Sequence, residues 1–91
     1  MSKVAIDQQE LRHFIGALGK FNGNLNSDWR VLRNAWHSLE STWHDPERDK
    51  FLEEWDRVIR QMDGYLRQAG DYVQFLSRKE RALAEYLRKG R

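Results

Sequence analysis

Large apolar residues recur at heptad spacing in the half of the chain before its single proline, Pro46. One row consists of leucines seven residues apart, namely Leu11, Leu18, Leu25, Leu32 and Leu39. The neighbouring row changes register along the chain, from Phe14 and Phe21 to Trp29, Trp36 and Trp43. A heptad repeat is typical of a helix that packs along one stripe, and the stripe drifts because a helix has 3.6 residues per turn. The pattern predicts a first helix over about residues 7–43, with Asp7 and Glu10 forming a capping box.

The half after the proline carries three adjacent apolar rows. They are Phe51, Val58, Tyr65 and Tyr72; Trp55, Met62, Ala69, Leu76 and Leu83; and Leu52, Ile59, Leu66 and Val73. The rows predict a second helix over about residues 46–88. Three rows make a wider stripe than one facing helix covers, so we expect a second partner for this helix.

The tetrapeptide Trp43-His44-Asp45-Pro46 predicts a bend between the helices. Asp45 suits an N-cap, because its carboxylate accepts from backbone donors of the next turn, and Pro46 suits the first helical position because it has no N–H. We expect Trp43 to pack onto Phe51 or Trp55 across the end of the hairpin. The fold class predicted for residues 1–91 is therefore a single all-α domain, an antiparallel two-helix hairpin about 55–65 Å long at ~1.5 Å per residue.

Self-association into a four-helix bundle is the simplest way to cover the remaining apolar surface, since one face can pair with its own copy. The residues expected at this dimer or partner interface are Trp29, Leu32, Trp36, Leu52, Trp55, Ile59, Leu66 and Val73.

Helix one contains a segment of poor helix formers between Gly16 and Asn26. Glycine costs a helix about 1 kcal/mol relative to alanine, so the helix could break here, with Ser27 or Asp28 capping a shorter one. We favour a continuous helix, because the leucine row keeps its phase through Leu25.

Composition removes several classes of function. The 91 residues include no cysteine, which excludes disulfides and thiolate metal sites. Apolar runs are too short for a membrane span, and Met1-Ser2-Lys3 followed by Val4-Ala5-Ile6 does not resemble a signal peptide, so we expect any export to be leaderless.

The net charge of +2 is unevenly distributed. Seven acids and two bases lie between Glu40 and Asp56 around the bend, whereas six bases and two acids lie between Ser77 and Arg91. Matching of the helix dipole explains both clusters, with a basic docking patch as the alternative. Acids interrupt the basic segment, so we do not favour nucleic-acid binding.

Two arrangements are worth weighing as metal sites. Glu10 and His13 have the Glu-x-x-His spacing of carboxylate-bridged metal bundles, but the pair occurs once. His37, Glu40 and His44 share a helix face beside Asp45 and could hold zinc. Residues in such arrangements are more commonly solvated polar side chains than metal ligands. The sequence also has no nucleophile and base at a spacing that suits catalysis. We therefore predict a protein that is not an enzyme and has no cofactor.

The bend and its flanking aromatics give the chain a family resemblance. A chain of about this length without cysteine, with Trp43 in a central bend and aromatics eight and twelve residues later at Phe51 and Trp55, resembles the Trp-X-Gly family of small leaderless type VII secretion substrates. Asp45 stands where that family has glycine, and Gly90 stands where the mycobacterial-type export signal has an acid.

The resemblance implies a hairpin that is synthesised in the cytoplasm, dimerises with itself or a related hairpin, and is secreted without a signal peptide. It also implies recognition by a membrane secretion ATPase through the bend and the C-terminal segment, which makes Trp43, Tyr86 and Leu87 the recognition residues. The alternative is a cytosolic adaptor or chaperone that uses the same apolar faces.

Overall fold

The computed structural model describes residues 6–90, which form two long α-helices joined by a turn. Helix α1 spans Gln8–Glu40 and helix α2 spans Glu47–Lys89. Contacts pair the start of α1 with the end of α2, as in the hydrogen bond from Gln8 to Glu80, so the helices are antiparallel. The predicted all-α hairpin is confirmed, and its longest dimension is 69 Å. Residues 1–5, on which the signal-peptide expectation rests, and Arg91 lie outside the described residues.

Helix α1 runs without interruption through the glycine and asparagine segment, which confirms the continuous alternative. The predicted N-cap is also present, since Asp7 Oδ1 accepts from the Glu10 N–H at 3.0 Å. Within the weak segment, Asn22 Nδ2 donates to the Ala69 carbonyl at 3.3 Å, and the Tyr65 hydroxyl donates to Asn22 Oδ1 at 2.6 Å. Contacts with the facing helix thus stabilise α1 where its intrinsic propensity is lowest.

The turn begins earlier than the sequence indicates. Helix α1 ends at Glu40, where the side chains of Ser41 and Thr42 donate to carbonyls of its last turn. Helix α2 begins at Glu47, and Asp45 Oδ1 accepts from the Glu47 N–H at 3.0 Å. The Asp45 carboxylate therefore accepts from the first turn as predicted, but Pro46 and not Asp45 is the N-cap residue of α2. Both residues stand one position earlier relative to the helix than the sequence indicates.

The leucine row of α1 rotates out of the contact between the helices, which we call the seam. Leu11 is 4% exposed and Leu18 and Leu25 are half-buried, whereas Leu32 and Leu39 are each 49% exposed. A straight helix turns a heptad row by about 20° per heptad, hence by roughly 80° from Leu11 to Leu39. The neighbouring row replaces it near the turn, where Trp29 and Trp36 are buried.

Two rows of α2 form its side of the seam. Ala69 and Leu83 are buried, and the half-buried members are Leu52, Trp55, Ile59, Met62, Leu66, Val73 and Leu76. The row beginning at Phe51 lies at the edge, with Phe51, Val58 and Tyr72 exposed and Tyr65 half-buried. The hairpin thus has a thin core and a long apolar edge.

Candidate functional site

Five aromatic rings pack together at the turn end of the hairpin. The Trp36 ring lies 5.3 Å from Phe51 and 6.0 Å from Trp55, measured between ring centroids. Trp29 lies 5.6 Å from Trp55, and Trp43 lies 5.8 Å from Phe51. The predicted packing of Trp43 onto Phe51 is therefore present. Aromatic pairs at such distances contribute about 0.5–1.5 kcal/mol beyond their buried area, so this cluster is the main anchor of the turn end.

The indole N–H groups of the cluster differ in their partners. Trp43 Nε1 donates to Asp45 Oδ1 at 2.9 Å, and Trp29 Nε1 donates to Asp63 Oδ1 at 3.3 Å. Trp55 Nε1 is buried and has no acceptor in the described part of the chain. The same Asp45 oxygen thus serves both the Trp43 indole and the first turn of α2, a role that the glycine of the Trp-X-Gly motif has no side chain to perform.

The residues expected at a dimer or partner interface mostly lie inside the hairpin. Trp29 and Trp36 are buried and five others are half-buried in the seam, namely Leu52, Trp55, Ile59, Leu66 and Val73. Leu32 is exposed. The row from Leu52 to Val73 is thus partly covered within one hairpin, whereas the row from Phe51 to Tyr72 is the more exposed one. The dimer or partner interface itself stays a prediction.

A common position in the heptad defines the outward residues. Phe14, Phe21, Leu32 and Leu39 each stand one position before a half-buried residue of α1, and Phe51, Val58, Tyr65, Tyr72 and Tyr86 each stand one position before a member of the α2 heptad row Leu52, Ile59, Leu66, Val73, Glu80 and Leu87. The same position holds two charged residues, Asp28 and Lys79. Two antiparallel helices are related by a two-fold axis perpendicular to the plane that contains both helix axes. Residues that lie in the same rotational direction from the seam on each helix therefore fall on the same face of the hairpin. These nine apolar residues thus form one surface, which we call the apolar face.

Residues one position after the seam form the opposite face, which is polar. Asn26, Arg30 and His37 of α1 line a groove together with Asp63 and Arg67 of α2. These residues come from both helices and line the same groove, which supports the conclusion that equivalent heptad positions of the two helices share a face. Polar cross-links also join the helices, including the ion pair between Arg33 and Asp63 at 3.7 Å. The hairpin therefore has one mostly apolar face, interrupted by Asp28 and Lys79, and one polar face.

The arrangements weighed as metal sites are not assembled. Among residues 6–90, no three histidine, aspartate or glutamate side chains are grouped closely enough to hold a metal ion. His37 Nδ1 lies 3.7 Å from Glu40 Oε1, but Glu40 is also bound by Arg48 at 2.9 Å. An arginine on this carboxylate competes with any metal for its oxygens.

The C-terminal segment presents both predicted recognition residues at the surface. Tyr86 and Leu87 are exposed and line a shallow groove with Gln8 and Ala84. Part of the basic charge here is balanced locally, since Arg88 and Lys89 both pair with Glu85. These pairs favour a helix-dipole role for the bases over a continuous nucleic-acid patch.

Comparisons with known proteins give no relatives. No protein-family model, curated protein sequence or solved structure matches the chain. Neither helix has, within residues 6–90, a segment apolar and long enough to span a membrane. The resemblance to the Trp-X-Gly family thus stays a prediction.

Sequence reasoning missed several residues of these surfaces. It did not place Leu39, Phe14 and Phe21 on the outside, and it did not single out Asp63, which links both helices. The heptad position shared by the outward residues was the available signal for the apolar face. Asp63 had no signal in the sequence, because its role depends on which residues of α1 lie opposite.

Proposed function

We propose that the protein is a non-enzymatic interaction module whose apolar face is covered by a second copy, giving a four-helix bundle. The observation that carries this proposal is the exposure of large side chains along one face, including Phe14, Phe21, Leu32, Val58 and Tyr72. Soluble monomers rarely expose contiguous apolar surface of this extent, and when they do it marks an interaction site.

The size of the hairpin fits a second copy as the partner. Its principal dimensions are 69 × 21 × 16 Å, so one broad side exceeds the ~800 Å² that each partner contributes to a standard interface. The charges favour an antiparallel pairing of the two hairpins. The acidic turn end, with seven acids and two bases, then lies against the basic terminal end of the other copy.

The wider role that we propose follows from the resemblance to the Trp-X-Gly family. The hairpin is made in the cytoplasm and exported as a folded dimer by a type VII machinery, whose membrane ATPase recognises Trp43, Tyr86 and Leu87. Support comes from the exposure of Tyr86 and Leu87 and from the central Trp43-containing bend. Asp45 replaces the glycine of the motif without loss of the bend, because its carboxylate accepts from the first turn of α2.

Two valine substitutions test the self-association. Val58 is 39% exposed on the apolar face, whereas Val31 is 69% exposed on the back of α1, away from that face. We expect V58E to weaken dimerisation at least ~100-fold, because each copy would bury an unpaired charge. The matched variant V31E should dimerise as the wild type does. Sedimentation equilibrium over a concentration series measures both, with circular dichroism as the check on helicity.

A wild-type chain that stays monomeric at high micromolar concentration would refute self-association. Equal weakening by V58E and V31E would refute the assignment of the face.

The export step has its own test in cells. In a strain with a type VII machinery, we expect the intact chain in the culture medium and its loss from the medium when the membrane ATPase is deleted. Retention of the chain inside the cell in a stable larger complex would contradict export and support the adaptor or chaperone alternative.

A further inference from the structure

The polar face contains an open groove of about 490 Å³ between the helices, beside Trp29. Its volume lies within the ~300–1,000 Å³ typical of small-molecule sites. Its lining residues are Asn26, Trp29, Arg30, Arg33, Asn34, His37, Asp63, Leu66 and Arg67. The groove thus combines a wall of the hydrophobic seam with a rim of basic and amide side chains.

The charges of the lining do not balance. Three arginines face one acid, Asp63, which already accepts from Trp29 Nε1 at 3.3 Å and lies 3.7 Å from Arg33. Arg30 and Arg67 have no hydrogen bond or ion pair with any residue in the range 6–90. The groove therefore carries an excess of about two positive charges, on guanidinium groups whose donors are available to a ligand.

The donors converge on the groove from both helices. Arg30, Arg33, Asn34 and His37 follow one another at i, i+3, i+4 and i+7, so they form one strip of α1 whose neighbours lie about 5–6 Å apart. Arg67 stands on the opposite wall, in α2. An anion placed between the walls can accept from guanidinium groups on both sides.

We propose that this groove binds a small molecule bearing a phosphoryl group. A phosphoryl group carries a charge of about −1.5 to −2 and three acceptor oxygens, which matches the excess charge and the presence of donors on both walls of the groove. A single carboxylate has one charge and two oxygens, and it would leave one arginine uncompensated. The remaining volume, beside Trp29 and Leu66, accommodates the organic part of the ligand.

Inorganic pyrophosphate is the probe for the first test, in isothermal titration of the full chain at fixed ionic strength. We expect saturable binding with one site per chain, and a loss of affinity of at least tenfold in the double variant R30Q/R67Q. The matched control is R60Q/R81Q, which removes the same charge from exposed positions of α2 that do not line the groove. The control should change the affinity less than threefold.

Three results would overturn the proposal. One is the absence of saturable pyrophosphate binding, and another is an equal loss in both double variants, which would indicate unspecific attraction to surface charge. The third is that a glutamate-rich peptide binds more tightly than pyrophosphate and that R30Q/R67Q abolishes this peptide binding. Such a result would assign the groove to an acidic protein segment. Because the groove lies opposite the apolar face, V58E should leave pyrophosphate binding intact, so the outcome is independent of self-association.

Discussion

The rotation of the leucine row gives a sharp prediction, because Leu11 and Leu39 belong to one heptad row of the same helix. Each lies within the four residues nearest an end of α1, and L11A and L39A replace the same side chain by the same residue. Any gain in helix propensity is therefore similar in the two variants. They differ in burial, since Leu11 is 4% exposed and Leu39 is 49% exposed.

The expected magnitudes follow from this difference. Truncation of a buried leucine costs about 2–5 kcal/mol, because transfer energy is lost and a cavity remains. A leucine that is half exposed loses about half of the ~1.5–3 kcal/mol that full burial provides and leaves no enclosed cavity, so L39A should cost about 1 kcal/mol. We expect L11A to lower the free energy of unfolding by at least ~1 kcal/mol more than L39A does.

Urea denaturation followed by far-UV circular dichroism measures both variants, at a concentration where the wild type is monomeric. Equal m values in the two variants would show that the change lies in stability and not in the extent of unfolding. Equal losses of stability in L11A and L39A would contradict the rotation and indicate a row that follows the seam throughout. At concentrations that favour the dimer, L39A should lose further stability, because the second copy then covers this position.

Three further substitutions test local features. D45A should lower the free energy of unfolding, measured by urea denaturation, by about 1 kcal/mol, because the Glu47 N–H and the Trp43 indole lose their acceptor. D45N should recover part of this loss, and unchanged stability in D45A would contradict the capping role of the carboxylate. G19A should raise the melting temperature and increase the free energy of unfolding by about 0.5–1 kcal/mol, because an added Cβ meets no described atom within 4 Å outside the local helix backbone. A lower melting temperature would contradict the conclusion that this position has room for a methyl group. E80Q removes the charge of a carboxylate that lies 3.8 Å from Arg12, while the new amide oxygen can still accept from Gln8. Because the Arg12 side chain is 67% exposed, we expect a loss below ~1 kcal/mol in the free energy of unfolding, and a larger loss would contradict the view that this ion pair is weak.

The sequence predicts most of the fold because its strongest signals are local. The Asp7 cap, the hydrogen bond from the first turn of α2 to Asp45 and the packing of Trp43 onto Phe51 depend on residues a few positions apart, and all three are present. Continuity of α1 was harder to predict. It depends on the contacts of Asn22 with Tyr65 and Ala69, which are more than forty residues away.

The outward surface was predicted less well, for a physical reason. Three adjacent rows on α2 differ by one or three residues in heptad phase, and which two of them face α1 depends on how far the pair supercoils. Periodicity shows that an excess of apolar surface exists, but it does not distinguish Leu52 from Phe51 as the exposed neighbour. The basic groove depends likewise on the pairing of Asp63 with Arg33, which the alignment of the two helices determines.

The two hydrogen bonds of Asn22 restrict the alignment along α1 of α2 or of any helix that takes its place. A shift by one heptad that brings Val58 to the place of Tyr65 would keep apolar residues opposite one another, but it would remove the Tyr65 hydroxyl from this amide. An amide that loses its partner costs about 1–3 kcal/mol when it is desolvated, so this shifted pairing is disfavoured, whereas the opposite shift brings the Tyr72 hydroxyl to the same place. If two chains opened at the turn and exchanged helices, the same amide would disfavour the shift toward Val58, and the exchanged dimer would keep both faces of the hairpin.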